Sequence, residues 1–145
     1  MKKICFVCHG NICRSPMAEY ILKDKVRKMN LDYYVVSRAT SSEEIGNDIH
    51  YGTKRILEKY KIPYERHYAT KLVSSDYEKY DYFICMDENN MRNINYIFSN
   101  TDKVFKLLDR DVKDPWYTGN FDETYDDVLE GCEAFIEFLI RNNEL

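Results

Sequence analysis

The chain has 145 residues, 44% hydrophobic and 32% charged, with a net charge of −4 and no run of Lys or Arg, which fits one domain around a single core and argues against a nucleic-acid partner. No stretch reaches the ~20 apolar residues of a membrane-spanning helix, and the run after Met1-Lys2-Lys3 is too short for a signal sequence, so no membrane partner is expected and the expected location is cytoplasmic. Five Cys, an odd number, and three scattered His argue against a disulfide framework and a zinc site.

Lys3 to Val7 reads as a short buried strand, and Cys8 to Arg14 as a polar loop with one Gly. Ser15-Pro16 reads as a helix start, with Ser at the N-cap and Pro in the first turn. Ala18, Ile21, Leu22, Val26 and Met29 follow as its apolar stripe. Tyr33 to Val36 is a second strand, rich in aromatic and β-branched residues, and Ser37 to Asp48 is a loop. Ile49, Thr53, Ile56, Leu57 and Tyr60 predict a second helix that stops before Pro63. Glu65 to Thr70 reads as loop, with a short helix near Ser75 to Lys79.

Tyr82 to Met86 is a third buried strand, and Asp87 caps a helix running to about Phe98. Val104 to Leu107 is the last strand, Leu108 to Gly119 a loop, and Thr124 to Arg141 a helix with Val128, Cys132, Phe135, Ile136 and Leu139 on one face. The thirteen Tyr read as core and half-buried packing rather than as a surface. The order β-α-β-α-β-α-β-α argues an α/β fold, a parallel sheet with helices on both faces and ligands bound beyond the carboxyl ends of the strands.

The loop Cys8 to Arg14 lies at such an end. Backbone N–H groups at a helix start are unpaired, and the dipole there favours an anion. Gly10 lets the backbone turn, and Arg14 adds a planar fork able to hold two phosphate oxygens. Cys8, at the base of this positive field, is expected as a thiolate poised for in-line attack on a bound phosphoryl group. Ser15 can donate to that sulfur when it leaves. The patterns of Walker and dinucleotide loops are absent.

Val7-Cys8-His9-Gly10-Asn11-Ile12-Cys13-Arg14-Ser15-Pro16-Met17-Ala18-Glu19 resembles the signature of the low-molecular-weight protein tyrosine phosphatases, and the likeness covers nearly the whole chain. Ser37 to Thr40, His67-Tyr68-Ala69, Tyr82 to Asp87 and Asp114-Pro115-Trp116-Tyr117 resemble further family segments. The resemblance implies a single flavodoxin-like domain over residues 1–145 with a four-stranded parallel sheet, no metal or other cofactor, and hydrolysis of phosphotyrosine in proteins, a tyrosine kinase among the possible substrates. It makes Cys8 the nucleophile and Arg14 the phosphate clamp. Asn11 shapes the loop through a left-handed backbone and hydrogen bonds to Ser15, Ser37 and His67. The loop His9 to Ser15 would take phosphate or another oxyanion. A monomer or weak dimer is expected.

A departing phenolate needs a proton donor, which a carboxylic acid supplies before acting as base toward water. The residues alone leave Asp109, Asp111 and Asp114 open; the resemblance selects Asp114. It also makes Trp116 and Tyr117 walls of a slot for the phenyl ring, and Tyr117 a candidate phosphorylation site. Two positions depart from the family: Glu43 where many members carry an aromatic, and His9 where a smaller or apolar residue is common. Ile12 stands where relatives acting on phosphoarginine typically have Thr, and resembles the phosphotyrosine class. Cys13 resembles the family's partner for a protective disulfide with Cys8, and Cys5, Cys85 and Cys132 read as core. Arsenate reduction on the same loop needs two more relay cysteines, which Cys85 and Cys132 are badly placed to supply. A phosphate-binding module without catalysis would have no need of both Cys8 and Asp114.

Overall fold

The computed structural model describes residues 1–142. Four strands, β1 (Lys2–Cys8), β2 (Tyr33–Ala39), β3 (Tyr82–Cys85) and β4 (Val104–Lys106), form one sheet in the order β2-β1-β3-β4. All pairings are parallel, with Ile4 opposite both Val35 and Tyr82. This is the four-stranded flavodoxin-like arrangement expected. The chain reverses its direction of winding between β1 and β3, and the crevice beyond their carboxyl ends is where such a sheet offers a site.

Five α-helices follow from the alternation: α1 (Arg14–Lys28), α2 (Tyr51–Lys59), α3 (Glu88–Ile94), α4 (Pro115–Thr118) and α5 (Phe121–Arg141). The central strands are apolar at successive positions because both faces are covered. Ile4, Phe6 and Ile84 point to one face, where Ile21 and Leu22 of α1, Leu57 of α2 and Leu139 of α5 close the larger core. Cys5, Val7, Phe83 and Cys85 point to the other, under Leu72, Tyr80, Ile94 and Phe98. Each large side chain so buried contributes roughly 1.5–3 kcal/mol. None of the helices in the described residues is long and apolar enough to cross a membrane.

Several boundaries differ from expectation for local reasons. Helix α1 begins at Arg14 with Cys13 at the N-cap, so Ser15 is inside the first turn and does not cap it. Its hydroxyl is turned to the preceding loop instead, 3.0 Å from Cys8 Sγ. Met29, placed on the apolar stripe, is exposed at the C-cap of α1. Helix α3 ends at Ile94, short of Phe98, and the short helix expected near Ser75 is a 3₁₀ turn over Ser74–Glu78.

The stretch read as loop from Leu108 to Gly119 contains the one-turn α4, capped by Asp114 and closed by Gly119 at φ +70°. Helix α5 starts three residues before Thr124. Asn120 is its cap, and its side chain accepts from Glu123 N.

Candidate active site

The loop from Cys8 to Arg14 runs from the end of β1, between β2 and β3, into α1. Its left-handed residue is Asn11, at φ +61°, and not Gly10, which has no positive φ. Asn11 is fully buried and ties the loop on four sides. Its Nδ2 donates to Ser15 Oγ at 2.8 Å and to Ser37 Oγ at 2.9 Å. Its Oδ1 accepts from Thr70 N at 3.0 Å, and its carbonyl accepts from His67 Nε2 at 2.8 Å. The network expected of Asn11 is therefore present, with Thr70 in addition.

Burial holds the His67 imidazole below its ordinary value, as suits a neutral ring donating to a carbonyl. Behind Ser37 lies a residue whose role the sequence did not disclose. Ser37 Oγ donates at 2.6 Å to Glu19 Oε1, and Glu19 is buried on α1 with Lys23 Nζ 2.5 Å from its other oxygen.

Cys8 Sγ sits buried at the base of the loop, approached by Asn11 N at 3.3 Å as well as by Ser15 Oγ. Arg14 is buried too. Its Nη1 donates to Asp87 Oδ2 at 2.6 Å and to the Val112 carbonyl at 2.8 Å, and its Nη2 reaches Asp114 Oδ2 at 3.4 Å. Burial alone would pull this guanidinium down, but Cys8, Asp87 and Asp114 outweigh it and hold it above its ordinary value. Asp87 was read only as a cap. It does cap α3, with Oδ1 accepting from Asn90 N, and its second oxygen fixes Arg14 across 73 residues of chain. Cys13 is also buried, and burial together with the nearby Cys8 pushes its thiol far up.

These groups open into a pocket of about 110 Å³. The buried Cys8, Ile12, Cys13 and Arg14 line it together with Asp114, Trp116 and Tyr117. Trp116 and Tyr117 are 56% and 84% exposed, so they rim the opening and do not pack beneath the loop. His9, Gly10, Glu43 and Glu44 complete its lining. His9 Nε2 and Glu43 Oε2, two separate departures in the sequence, meet at 2.9 Å. Every site residue expected from the sequence is either in this pocket or, like Ser37 and His67, in the network beneath it. No group of three or more His, Cys, Asp or Glu able to hold a metal occurs among the described residues.

The chemistry such an arrangement supports is capture of a tetrahedral oxyanion above a sulfur nucleophile, with a carboxyl beside the leaving position.

A family model described as low molecular weight phosphotyrosine protein phosphatase matches residues 3–145. The low molecular weight protein-tyrosine-phosphatase PtpA of Staphylococcus aureus is 39% identical over 153 aligned residues, covering 100% of this chain and 98% of that protein. Among solved structures, SP-PTP, a low molecular weight protein tyrosine phosphatase from Streptococcus pyogenes, superposes with a TM-score of 0.89 at 42% identity, over 96% of this chain and 93% of that one. YfkJ from Bacillus subtilis superposes with a TM-score of 0.94 at 35% identity, over 98% and 96% of the two chains.

Proposed function

Because the chain belongs to the low-molecular-weight phosphotyrosine protein phosphatase family, we propose that it hydrolyses phosphotyrosine through a phosphocysteine on Cys8, with Arg14 as clamp and Asp114 as general acid and base. The observation that carries these assignments is the convergence of Cys8, Arg14 and Asp114 on one pocket, with Arg14 Nη2 already in contact with Asp114.

The phosphoryl oxygens are met by the loop amides and by Arg14 Nη2 and Nε, while Nη1 is held from behind by Asp87 and Val112. The Cys8 thiolate attacks phosphorus from below. The phosphorus–oxygen ester bond breaks, and Asp114 gives its proton to the departing phenolate. Water then attacks the phosphocysteine, losing a proton to Asp114, and phosphate leaves. In that second step the thiolate is the leaving group, and the Ser15 hydroxyl steadies it. Asn11 Nδ2 is a donor to Ser15 Oγ, so the one hydroxyl proton of Ser15 is directed to the sulfur. Trp116 and Tyr117 offer flat surfaces for the phenyl ring.

On this reading the substrates are phosphotyrosine proteins, a tyrosine kinase being one candidate, met in the cytoplasm by a monomer or weak dimer. Arsenate reduction is not favoured. Cys85 is buried in β3 and Cys132 in α5, where burial pushes the Cys132 thiol up to about 12, leaving no thiol to relay a disulfide outward.

Two variants test the assignment. Cys8→Ser is expected to abolish turnover of aryl phosphates while still binding inorganic phosphate by calorimetry; retained turnover would overturn the mechanism. Asp114→Asn is expected to lower kcat/KM about 100-fold or more on phenyl phosphate, within the usual worth of a positioned proton donor.

A further inference from the structure

His50 is not part of the loop, the clamp or the acid, yet it touches the elements that carry all three. Its backbone N–H donates to the Ile12 carbonyl at 2.9 Å, which fixes it to the tip of the phosphate loop. Its side chain caps α2, with Nδ1 accepting from Gly52 N at 3.0 Å. That bond leaves Nδ1 without a proton and allows the ring one orientation.

The ring so fixed stacks on Phe121 at 5.2 Å and 15°, and presents its face or edge to Trp116 at 5.6 Å and 76°. Phe121 is the first residue of α5 and packs on Ile12, Cys13 and Ala69 under the loop. Space there is tight enough that a Cβ on Gly52 would lie 2.4 Å from the Phe121 ring. Trp116 is in the single turn of α4, and its N–H is held at 3.1 Å by Oδ1 of Asp114. A four-residue helix has little stability of its own, so its place depends on what it leans on.

We propose that His50 is a positioning residue for the acid Asp114. It joins the phosphate loop to α4 through Trp116, and so sets Asp114 Oδ2 beside the leaving oxygen. Trp116 is more than half exposed, and the aromatic ring it meets among the described residues is that of His50. This inference rests on Asp114 being the general acid, and its test separates the two.

The readout is the dependence of kcat/KM on the leaving group, because a good leaving group departs without a proton and a poor one does not. The pair of probes is dinitrophenyl phosphate and phenyl phosphate, with inhibition by inorganic phosphate as a check on the loop. His50→Ala is expected to lower kcat/KM about tenfold on phenyl phosphate and less than about twofold on dinitrophenyl phosphate, a partial loss of the 10²–10⁴-fold a donor supplies. Phosphate inhibition stays unchanged. Asp114→Asn should show the same split more steeply.

Equal losses on both esters, or no loss on either, would overturn the role of His50 if Asp114→Asn still discriminates between them. If Asp114→Asn does not discriminate, the acid assignment falls and the inference falls with it. Should His50→Ala fail to fold, His50→Asn keeps an acceptor for Gly52 N and removes only the ring. The same split is expected of it, and equal losses would again overturn the proposal.

Discussion

Replacing Asn11 with Ala is the severest test of how the loop is held. Asn11 is fully buried at φ +61°, and its side chain makes three hydrogen bonds, to Ser15, Ser37 and Thr70. Ser15 and Ser37 are themselves buried, so water cannot replace the lost donor at either oxygen. Each buried polar atom left without a partner costs about 1–3 kcal/mol. Holding Ala in the left-handed region adds about 1 kcal/mol that Asn largely avoids. The expected destabilisation is about 3–5 kcal/mol, read from urea unfolding followed by circular dichroism.

Asn11→Gly loses the same hydrogen bonds but not the backbone strain, and is expected to be about 1 kcal/mol more stable than Asn11→Ala. Both variants also release Ser15 from its orientation toward Cys8. Burst kinetics should then show slower breakdown of the phosphoenzyme relative to its formation. A loss below about 1 kcal/mol in Asn11→Ala, or a Gly variant no better than the Ala variant, would refute the account of Asn11 as the residue that sets the loop.

Three further outcomes follow from neighbouring groups. Burial holds the His67 ring below its unfolded value, so its contribution to stability is complete above about pH 6.5 and is lost as pH falls through the lower folded value; His67→Gln, which keeps a donor for the Asn11 carbonyl, should flatten that acid limb in urea midpoints, and an unchanged slope would remove His67 as its source. Cys13 lines the same pocket as Cys8, which places its thiol to trap a Cys8 sulfenic acid as a disulfide with release of water, although burial and Cys8 hold that thiol neutral and so slow its attack; Cys13→Ser after peroxide should recover less activity with added thiol than the unaltered protein, and equal recovery would count against a resolving role. Ile12 is buried and lines the pocket; Ile12→Thr should raise phosphoarginine hydrolysis relative to p-nitrophenyl phosphate, and an unaltered ratio would discard Ile12 as the discriminating residue.

The strands were legible because a parallel sheet covered on both faces makes them continuous apolar runs, as in Ile4 to Val7 and Tyr82 to Cys85. The loop was legible because its chemistry is local, with Cys8, Arg14 and Ser15 inside eight residues. Helix α4 was missed because one turn shows no periodicity, although Asp114-Pro115 before it and Gly119 after it are a cap, a first-turn Pro and a left-handed stop. The start of α5 was missed in the same way, although Asn120 is a favoured cap residue whose side chain accepts from Glu123 N and donates to Glu123 Oε2. Glu19 and Asp87 left no signal of function, since Glu19 meets Ser37 across 18 residues and Asp87 meets Arg14 across 73. Such contacts exist only once α1, β2 and β3 are assembled.

That assembly also fixes how Arg14 is presented to Asp114. Asp87 and the Val112 carbonyl occupy Nη1 of Arg14 and fix the plane of the guanidinium from behind. Nη2 touches Asp114 Oδ2 only at 3.4 Å, a long contact for a charged pair. In the proposed mechanism a phosphoryl oxygen takes a shorter, charge-assisted bond to the same nitrogen and displaces Asp114 Oδ2 from it. The other Asp114 oxygen remains tied to Trp116 N, so the displaced Oδ2 stays beside the pocket. In the proposed mechanism, binding of the phosphate therefore frees an oxygen of Asp114 toward the leaving group, at the one step for which a phenolate ester needs help.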